Sequence, residues 1–138
     1  ILNLDAELRV ALVGVGSLGV ALTRYNMKRY QEDNSFNLKL AALFDSDPKK
    51  IGMEVEGIPV FSIGEIEEKT KELNLQMAII TVPFENAQTV TDILVNAGIR
   101  AILNFAPIKL MVPEGVHVAS ADLSLELQRL AYYLQDEE

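Results

Sequence analysis

The sequence contains no cysteine, no tryptophan and a single histidine. Without cysteine there is no disulfide framework, no thiolate nucleophile and no Cys-ligated metal, and the absence fits a cytoplasmic setting. No apolar run approaches the roughly 20 residues that a membrane span needs, so no membrane partner is expected. Ile1-Leu2-Asn3-Leu4-Asp5 lacks the basic and hydrophobic regions of a signal peptide. Positive charge is also scarce, with 12 Lys and Arg against 20 Asp and Glu and a net charge of −8. That sign is wrong for gripping a phosphate backbone, where affinity comes from basic residues that release counterions. No repeat, low-complexity tract or Pro- and Ser-rich linker interrupts the 138 residues, so one domain over residues 1–138 is expected.

What is present is an alternation of strand and helix signals. Leu8 to Val13 is short and almost wholly apolar, as a buried strand is. From Leu18 to about Tyr30 the period is helical, with Leu18, Ala21, Leu22 and Tyr25 on one face. Asp33-Asn34-Ser35 is a turn, and Leu38 to Phe44 is a second strand. Ile58 to Phe61 follows as a short strand. Ser62-Ile63-Gly64-Glu65 then forms a Ser-x-x-Glu capping box, which predicts a helix to about Leu73. Met77 to Val82 is a strand stopped by Pro83, and Glu85 to Ala97 a helix closed by Gly98. Strands at Ala101–Phe105 and Val116–Ala119 precede a last helix over Leu123–Gln135. Such alternation implies right-handed crossovers and a parallel sheet with helices on both faces. The fold class expected is α/β, a Rossmann-like doubly wound parallel sheet.

Within that frame, Gly14-Val15-Gly16-Ser17-Leu18-Gly19 follows the first strand and opens the first helix. A G-x-G-x-x-G pattern is weak alone, but strand before and helix after is the context in which it holds a dinucleotide. Gly14 permits the tight turn, Gly16 the approach of a pyrophosphate, and Gly19 close packing of helix on strand. The helix N-terminus offers unpaired N–H groups to the phosphates. Asp45 ends the second strand, where a carboxylate accepts from the adenosine ribose and repels a 2′-phosphate, favouring NAD over NADP.

Residues that would use the cofactor chemically do not stand out. His117 lies in Val116-His117-Val118, where alternation turns it away from the valines, as a solvated or edge-strand histidine would be. Lys109 near a strand end reads as a surface lysine. Glu65-Ile66-Glu67-Glu68-Lys69 reads as a solvated helix face. No catalytic residue and no metal site is therefore expected. From the residues alone, three readings stay open: a nucleotide sensor, the nucleotide lobe of an NAD-dependent dehydrogenase, and a CoA-binding domain.

Several longer stretches narrow this. They are the glycine loop, Phe44-Asp45-Ser46-Asp47-Pro48-Lys49-Lys50-Ile51-Gly52, and Thr81-Val82-Pro83 with Ala87-Gln88. Ala97-Gly98-Ile99 follows, running into Ile102-Leu103-Asn104-Phe105-Ala106-Pro107, and then Asp122-Leu123-Ser124-Leu125-Glu126-Leu127-Gln128. In this order and over essentially the whole chain, the sequence resembles the C-terminal domain of the redox-sensing transcriptional repressors called Rex. The Asn-Phe-Ala-Pro and Asp-Leu-x-x-Glu-Leu-Gln stretches are the specific ones.

The resemblance implies an NADH-sensing Rossmann domain rather than an enzyme. It implies a homodimer with a C-terminal exchanged helix, and operator DNA binding through a winged-helix domain absent from this sequence. Ile1 to Asp5 would then be the join after that domain. Carried over residue by residue, Gly14, Val15, Gly16, Ser17, Leu18 and Gly19 would hold the pyrophosphate and Asp45 the ribose. Lys50 falls at the family's Asp-Pro-x-Lys-x-Gly lysine, near the adenosine half. Thr81, Val82 and Pro83, with Asn104, Phe105, Ala106 and Pro107, would wall the nicotinamide. Asp122 and Leu123 would approach from the exchanged helix, whose Leu123, Leu127, Leu130 and Leu134 form an apolar stripe. Preference for NADH would follow from an apolar wall, because burying the cationic oxidised ring costs more than burying the neutral reduced one.

Overall fold

The structure is a computed structural model that describes residues 7–33, 35, 37–121, 128, 130–132 and 134–135. Among the described residues seven strands form one sheet: β1 (Leu8–Val13), β2 (Leu38–Asp45), β3 (Glu54–Val55), β4 (Ile58–Ser62), β5 (Met77–Ile80), β6 (Ala101–Asn104) and β7 (His117–Ser120). Three helices connect them: α1 (Ser17–Glu32), α2 (Ile66–Leu73) and α3 (Phe84–Asn96). The spatial order is β3-β4-β2-β1-β5-β6-β7. Every pairing is parallel except that of β3 with β4. Chain direction therefore reverses its march across the sheet between β1 and β5, and a doubly wound sheet opens a crevice at that point.

The central strands are apolar at almost every position because both faces are covered. Ala11 and Val13 point with Ala42, Phe44, Ala78 and Ile80 towards Ile66 of α2 and Ala87, Val90 and Leu94 of α3. Val10 and Leu12 point the other way, with Leu40 and Leu43, towards Val20, Leu22 and Met27 of α1. Beyond α1 that second face is less well covered among the described residues. Ala101 and Leu103 of β6 are half-buried, and His117 and Ala119 of β7 are exposed on the sheet's edge strand.

Of the apolar face expected on α1, Leu22 packs on the sheet and the other three residues turn outward. The buried residues of the helix are Gly19 and Thr23, whereas Leu18 and Tyr25 are 37% and 57% exposed and Ala21 is exposed too. Close approach decides the rotation: a Cβ on Gly19 would overlap the Gly14 carbonyl oxygen, so the helix lies on the sheet along Gly19. Asn26, also on the inner side, fixes the same rotation. Its amide donates to the Leu38 carbonyl at 3.1 Å and accepts from the Leu40 N–H at 3.0 Å, where β2 carries an extra residue against β1.

Other elements match closely. Ser62 and Glu65 make both bonds of the capping box, entering α2 through a 3₁₀ turn, Ile63–Glu65. Gly98 follows the C-cap of α3 with φ +104°. The β3–β4 hairpin is an addition, turned by Glu56 and Gly57, both at positive φ as a two-residue hairpin loop requires. Asp122 and Leu123 lie outside the described residues, as does most of the expected exchanged helix. The described positions 128, 130–132 and 134–135 are helical, with Leu130, Tyr132 and Leu134 more than 60% exposed. Among the described residues no helix is long and apolar enough to cross a membrane.

Candidate functional site

The crevice between β1 and β5 is a cleft of about 720 Å³ at the carboxyl ends of the strands. Gly14, Val15 and Gly16 of the glycine loop line it, with Asp45, Ser46, Asp47 and Lys50 after β2 on one side. Thr81, Val82 and Pro83 after β5 stand on the other, continuing into α3.

The loop owes its shape to its contacts. The Gly14 N–H donates to the Phe44 carbonyl at 2.8 Å, extending the β1–β2 ladder by one bond. Gly14 then turns at φ +108°, where a Cβ would sit 2.8 Å from the Thr81 carbonyl carbon and oxygen. Thr81 locks the turn from the other side: its Oγ1 lies 2.6 Å from the Gly14 carbonyl oxygen and 3.1 Å from that of Val13. The next amide, Val15 N–H, donates to Asp45 Oδ2 at 2.8 Å. Gly16 is different, because no atom lies within 4 Å of where its Cβ would be. Its missing side chain leaves open space over the start of α1. No side chain caps that helix and no acid sits in its first turn. The amides of Ser17, Leu18 and Gly19 thus begin a helix with neither a side-chain cap nor an acid in its own first turn, a helix start that can accept a phosphate.

Asp45 is half-buried at the end of β2. Its Oδ1 accepts the Asp47 N–H at 2.9 Å, and Asp47 in turn caps the Pro48–Lys50 turn by accepting the Lys49 N–H at 2.9 Å. That turn brings the half-buried Lys50 to the cleft wall.

Sequence reasoning missed part of the cleft lining. Ile63, Val90 and Ile93 supply apolar walls there, with Asn86 and Thr89 adding polar groups. They come from the 3₁₀ turn and from a face of α3, and only the packing of α2 and α3 on β2 and β5 brings them to the loop. An apolar slot beside a carboxylate and a helix N-terminus suits the flat base of a nucleotide.

Asn104, Phe105, Ala106 and Pro107 are not among the residues lining this cleft. Asn104 is fully buried, and its side chain is spent on the following loop. Nδ2 donates to the carbonyls of Ala106 at 3.2 Å and Ile108 at 2.9 Å, while Oδ1 accepts the Ala106 N–H at 2.9 Å. Asn104 therefore shapes the loop after β6 and leaves Phe105, half-buried, and Pro107, exposed, as its outer surface. Gln88 of α3 holds the far end of the same loop. Its amide pairs with both the N–H and the carbonyl of Met111, each at 2.8 Å. Ser17 and Leu18 are exposed at the start of α1, beside the cleft rather than in its lining. His117 and Lys109 are exposed on the surface, as their sequence settings suggested. No group of three or more potential metal ligands occurs among the described residues.

A six-strand parallel sheet in this order, with a glycine loop at its switch point and an acid closing the second strand, defines a Rossmann-like domain. The model of the family described as CoA binding domain matches residues 5–108. The redox-sensing transcriptional repressor Rex of Brevibacillus brevis is 47% identical over 134 residues, 97% of this chain and 62% of its own. That of Natranaerobius thermophilus is 41% identical over 137 residues, 99% of this chain and 60% of its own. Among solved structures, the Rex-family repressor RSP in complex with β-NADH superposes with a TM-score of 0.86 at 32% identity, covering 97% of this chain and 63% of that one. RSP bound to β-NAD+ and operator DNA gives the same TM-score and identity, covering 97% and 59%. The chain belongs to the CoA binding domain family, and over nearly its whole length it is similar to the Rex redox-sensing repressors. It spans about three fifths of the length of the curated relatives it matches.

Proposed function

We propose that this chain is the NADH-sensing domain of a redox-responsive transcriptional repressor, residues 1–138 forming a single NAD(H)-binding unit. The observation that carries the reading is the cleft itself: open space at Gly16, an uncapped helix start and the Asp45 carboxylate meet at the switch point of the sheet. RSP, a relative with the same fold, has been solved with NADH and with NAD+ and DNA. In this reading the pyrophosphate lies over Gly14 to Gly19, the ribose at Asp45 with Lys50 near it, and adenine between Val82, Val90 and Ile93. The nicotinamide reaches past Thr81–Pro83 towards the loop of Asn104–Pro107, with Asp122 and Leu123 approaching from a second copy.

The protein signals rather than catalyses. NADH binding draws two copies together, and the change in spacing is read by winged-helix domains on operator DNA in the cytoplasm. The exposed Leu130 and Leu134, and the thinly covered face of β6 and β7, give an exchanged helix apolar surface to offer and a place to pack. The acidic chain leaves DNA contact to the winged-helix domain.

The name of the matching family favours a second reading, coenzyme A as ligand. Its ribose carries a 3′-phosphate, which Asp45 would repel. Calorimetric titration with NADH, NAD+, NADPH and coenzyme A in one buffer separates these readings. NADH binding at least tenfold tighter than NAD+ (about 1.4 kcal/mol), with NADPH and coenzyme A weaker still, is expected. Equal affinity for NADH and NAD+ removes the sensing claim, and preference for coenzyme A removes the dinucleotide.

A further inference from the structure

The β1–β2 ladder ends where the Gly14 N–H meets the Phe44 carbonyl. One residue later on each strand, main chain no longer meets main chain. The Val15 N–H has turned away, and its acceptor is the side chain of Asp45, at 2.8 Å across 30 residues of sequence. The other carboxylate oxygen takes the Asp47 N–H at 2.9 Å. One carboxylate thus ties together the two loops that form this side of the cleft.

We propose that Asp45 is a positioning residue for the glycine loop, fixing the amides that receive the diphosphate, in addition to accepting from the ribose. The proposal rests on the dinucleotide reading above. A carboxylate is an acceptor only, with about four lone-pair sites. Two are occupied by Val15 and Asp47, leaving two, the number that the 2′- and 3′-hydroxyls of a ribose require. No other side chain of this size meets all four demands. An asparagine keeps one acceptor atom, and its NH₂ would face an N–H, so one of the two loops loses its anchor. A glutamate carries its carboxylate one methylene further out, away from Val15. The acid at this position therefore selects for the nucleotide at two places, the ribose and, through Val15, the diphosphate.

The two roles separate with a ligand that has no ribose hydroxyls. Adenosine diphosphate and its 2′,3′-dideoxy analogue are titrated calorimetrically into the wild-type chain and into Asp45→Asn, with NADH as reference. If Asp45 served the ribose alone, the variant would bind the dideoxy analogue as well as wild type, or better, since removing a negative charge beside a diphosphate favours binding. Positioning predicts the opposite sign, a loss of about tenfold for the dideoxy analogue. In parallel, amide hydrogen exchange is followed in the unliganded proteins. The Val15 amide is expected to be protected in wild type and to lose that protection in the variant, while strand amides such as Leu12 and Leu43 keep theirs.

An unprotected Val15 amide in unliganded wild type overturns the proposal, whatever becomes of the variant. So does an unchanged or improved affinity of Asp45→Asn for the dideoxy analogue. Failure of wild type to bind NADH and both adenosine diphosphates overturns instead the dinucleotide reading on which it rests.

Discussion

Replacing Gly16 with alanine separates what the glycine loop does for folding from what it does for a ligand. In the unliganded protein the new methyl group meets nothing within 4 Å, and the backbone at Gly16, φ −89° and ψ −162°, is open to any residue. Two small terms oppose each other. Alanine is the poorer N-cap, costing about 0.5–1 kcal/mol, and it restricts the unfolded chain, which returns about 0.4–1 kcal/mol. The net change in stability is therefore within about 0.5 kcal/mol, or roughly 2 °C in Tm for a domain of this size. Binding is affected differently, because the methyl group fills the space through which a phosphate reaches the amides at the start of α1. Losing one charge-assisted hydrogen bond there costs about 1.5–3 kcal/mol, which corresponds to roughly 10- to 150-fold in Kd. Scanning calorimetry and NADH titration of the same preparation measure both quantities. An unaltered NADH affinity, or a Tm lowered by more than about 5 °C, would refute the assignment of Gly16 to the ligand.

Gly19→Ala should behave in the opposite way: its Cβ would overlap the Gly14 carbonyl oxygen and press on Leu12, so α1 must move. A loss of about 2 kcal/mol or more is expected, seen as a Tm lower by roughly 5–10 °C. Asn104→Ala strips three hydrogen bonds from a fully buried side chain. It should cost about 2–4 kcal/mol in chemical denaturation and raise hydrogen exchange at Ala106, whose N–H loses its acceptor. The Asp33 carboxyl is held below its usual pKa by hydrogen bonds from Ser35, side chain and backbone, and secondarily by Arg29. Its folded-state pKa is thus the lower one, so its contribution to stability is present above the ordinary aspartate pKa and lost as pH falls through the lowered value. Ser35→Ala should move the Asp33 titration, followed by NMR, upwards, and no movement would contradict the hydrogen-bond account.

Sheet and glycine loop were legible because each strand carries its own signal. Leu8–Val13 and Leu38–Phe44 are apolar on both faces, and the loop needs glycine for reasons local to three positions. Asp45 was legible as an acid closing β2, but its bond to Val15 was not, since nothing in the sequence records where a loop amide turns. Leu18, Ala21 and Tyr25 of the expected α1 face turn outward although Leu22 packs on the core; the hydrophobic period misplaced them because it assumes that the largest apolar side chains face inward. Here contact is set by Gly19, the smallest residue, and by Asn26 satisfying the irregularity in β2. Glu56-Gly57 lacks the Asn-Gly or Asp-Gly signature of a hairpin, so β3 went unseen. Ile63, Thr89 and Ile93 carry no motif, and tertiary packing alone makes them part of a site.

In the proposed function the cleft between β1 and β5 receives the dinucleotide. Amide chemical shifts of the isotopically labelled chain, followed through an NADH titration, test it most directly. The largest changes are expected on Val15–Gly19, Asp45–Lys50 and Thr81–Asn86, with smaller ones along Thr89–Ile93. Saturable binding whose shifts lie elsewhere, for instance on the outer face of α2, would contradict it.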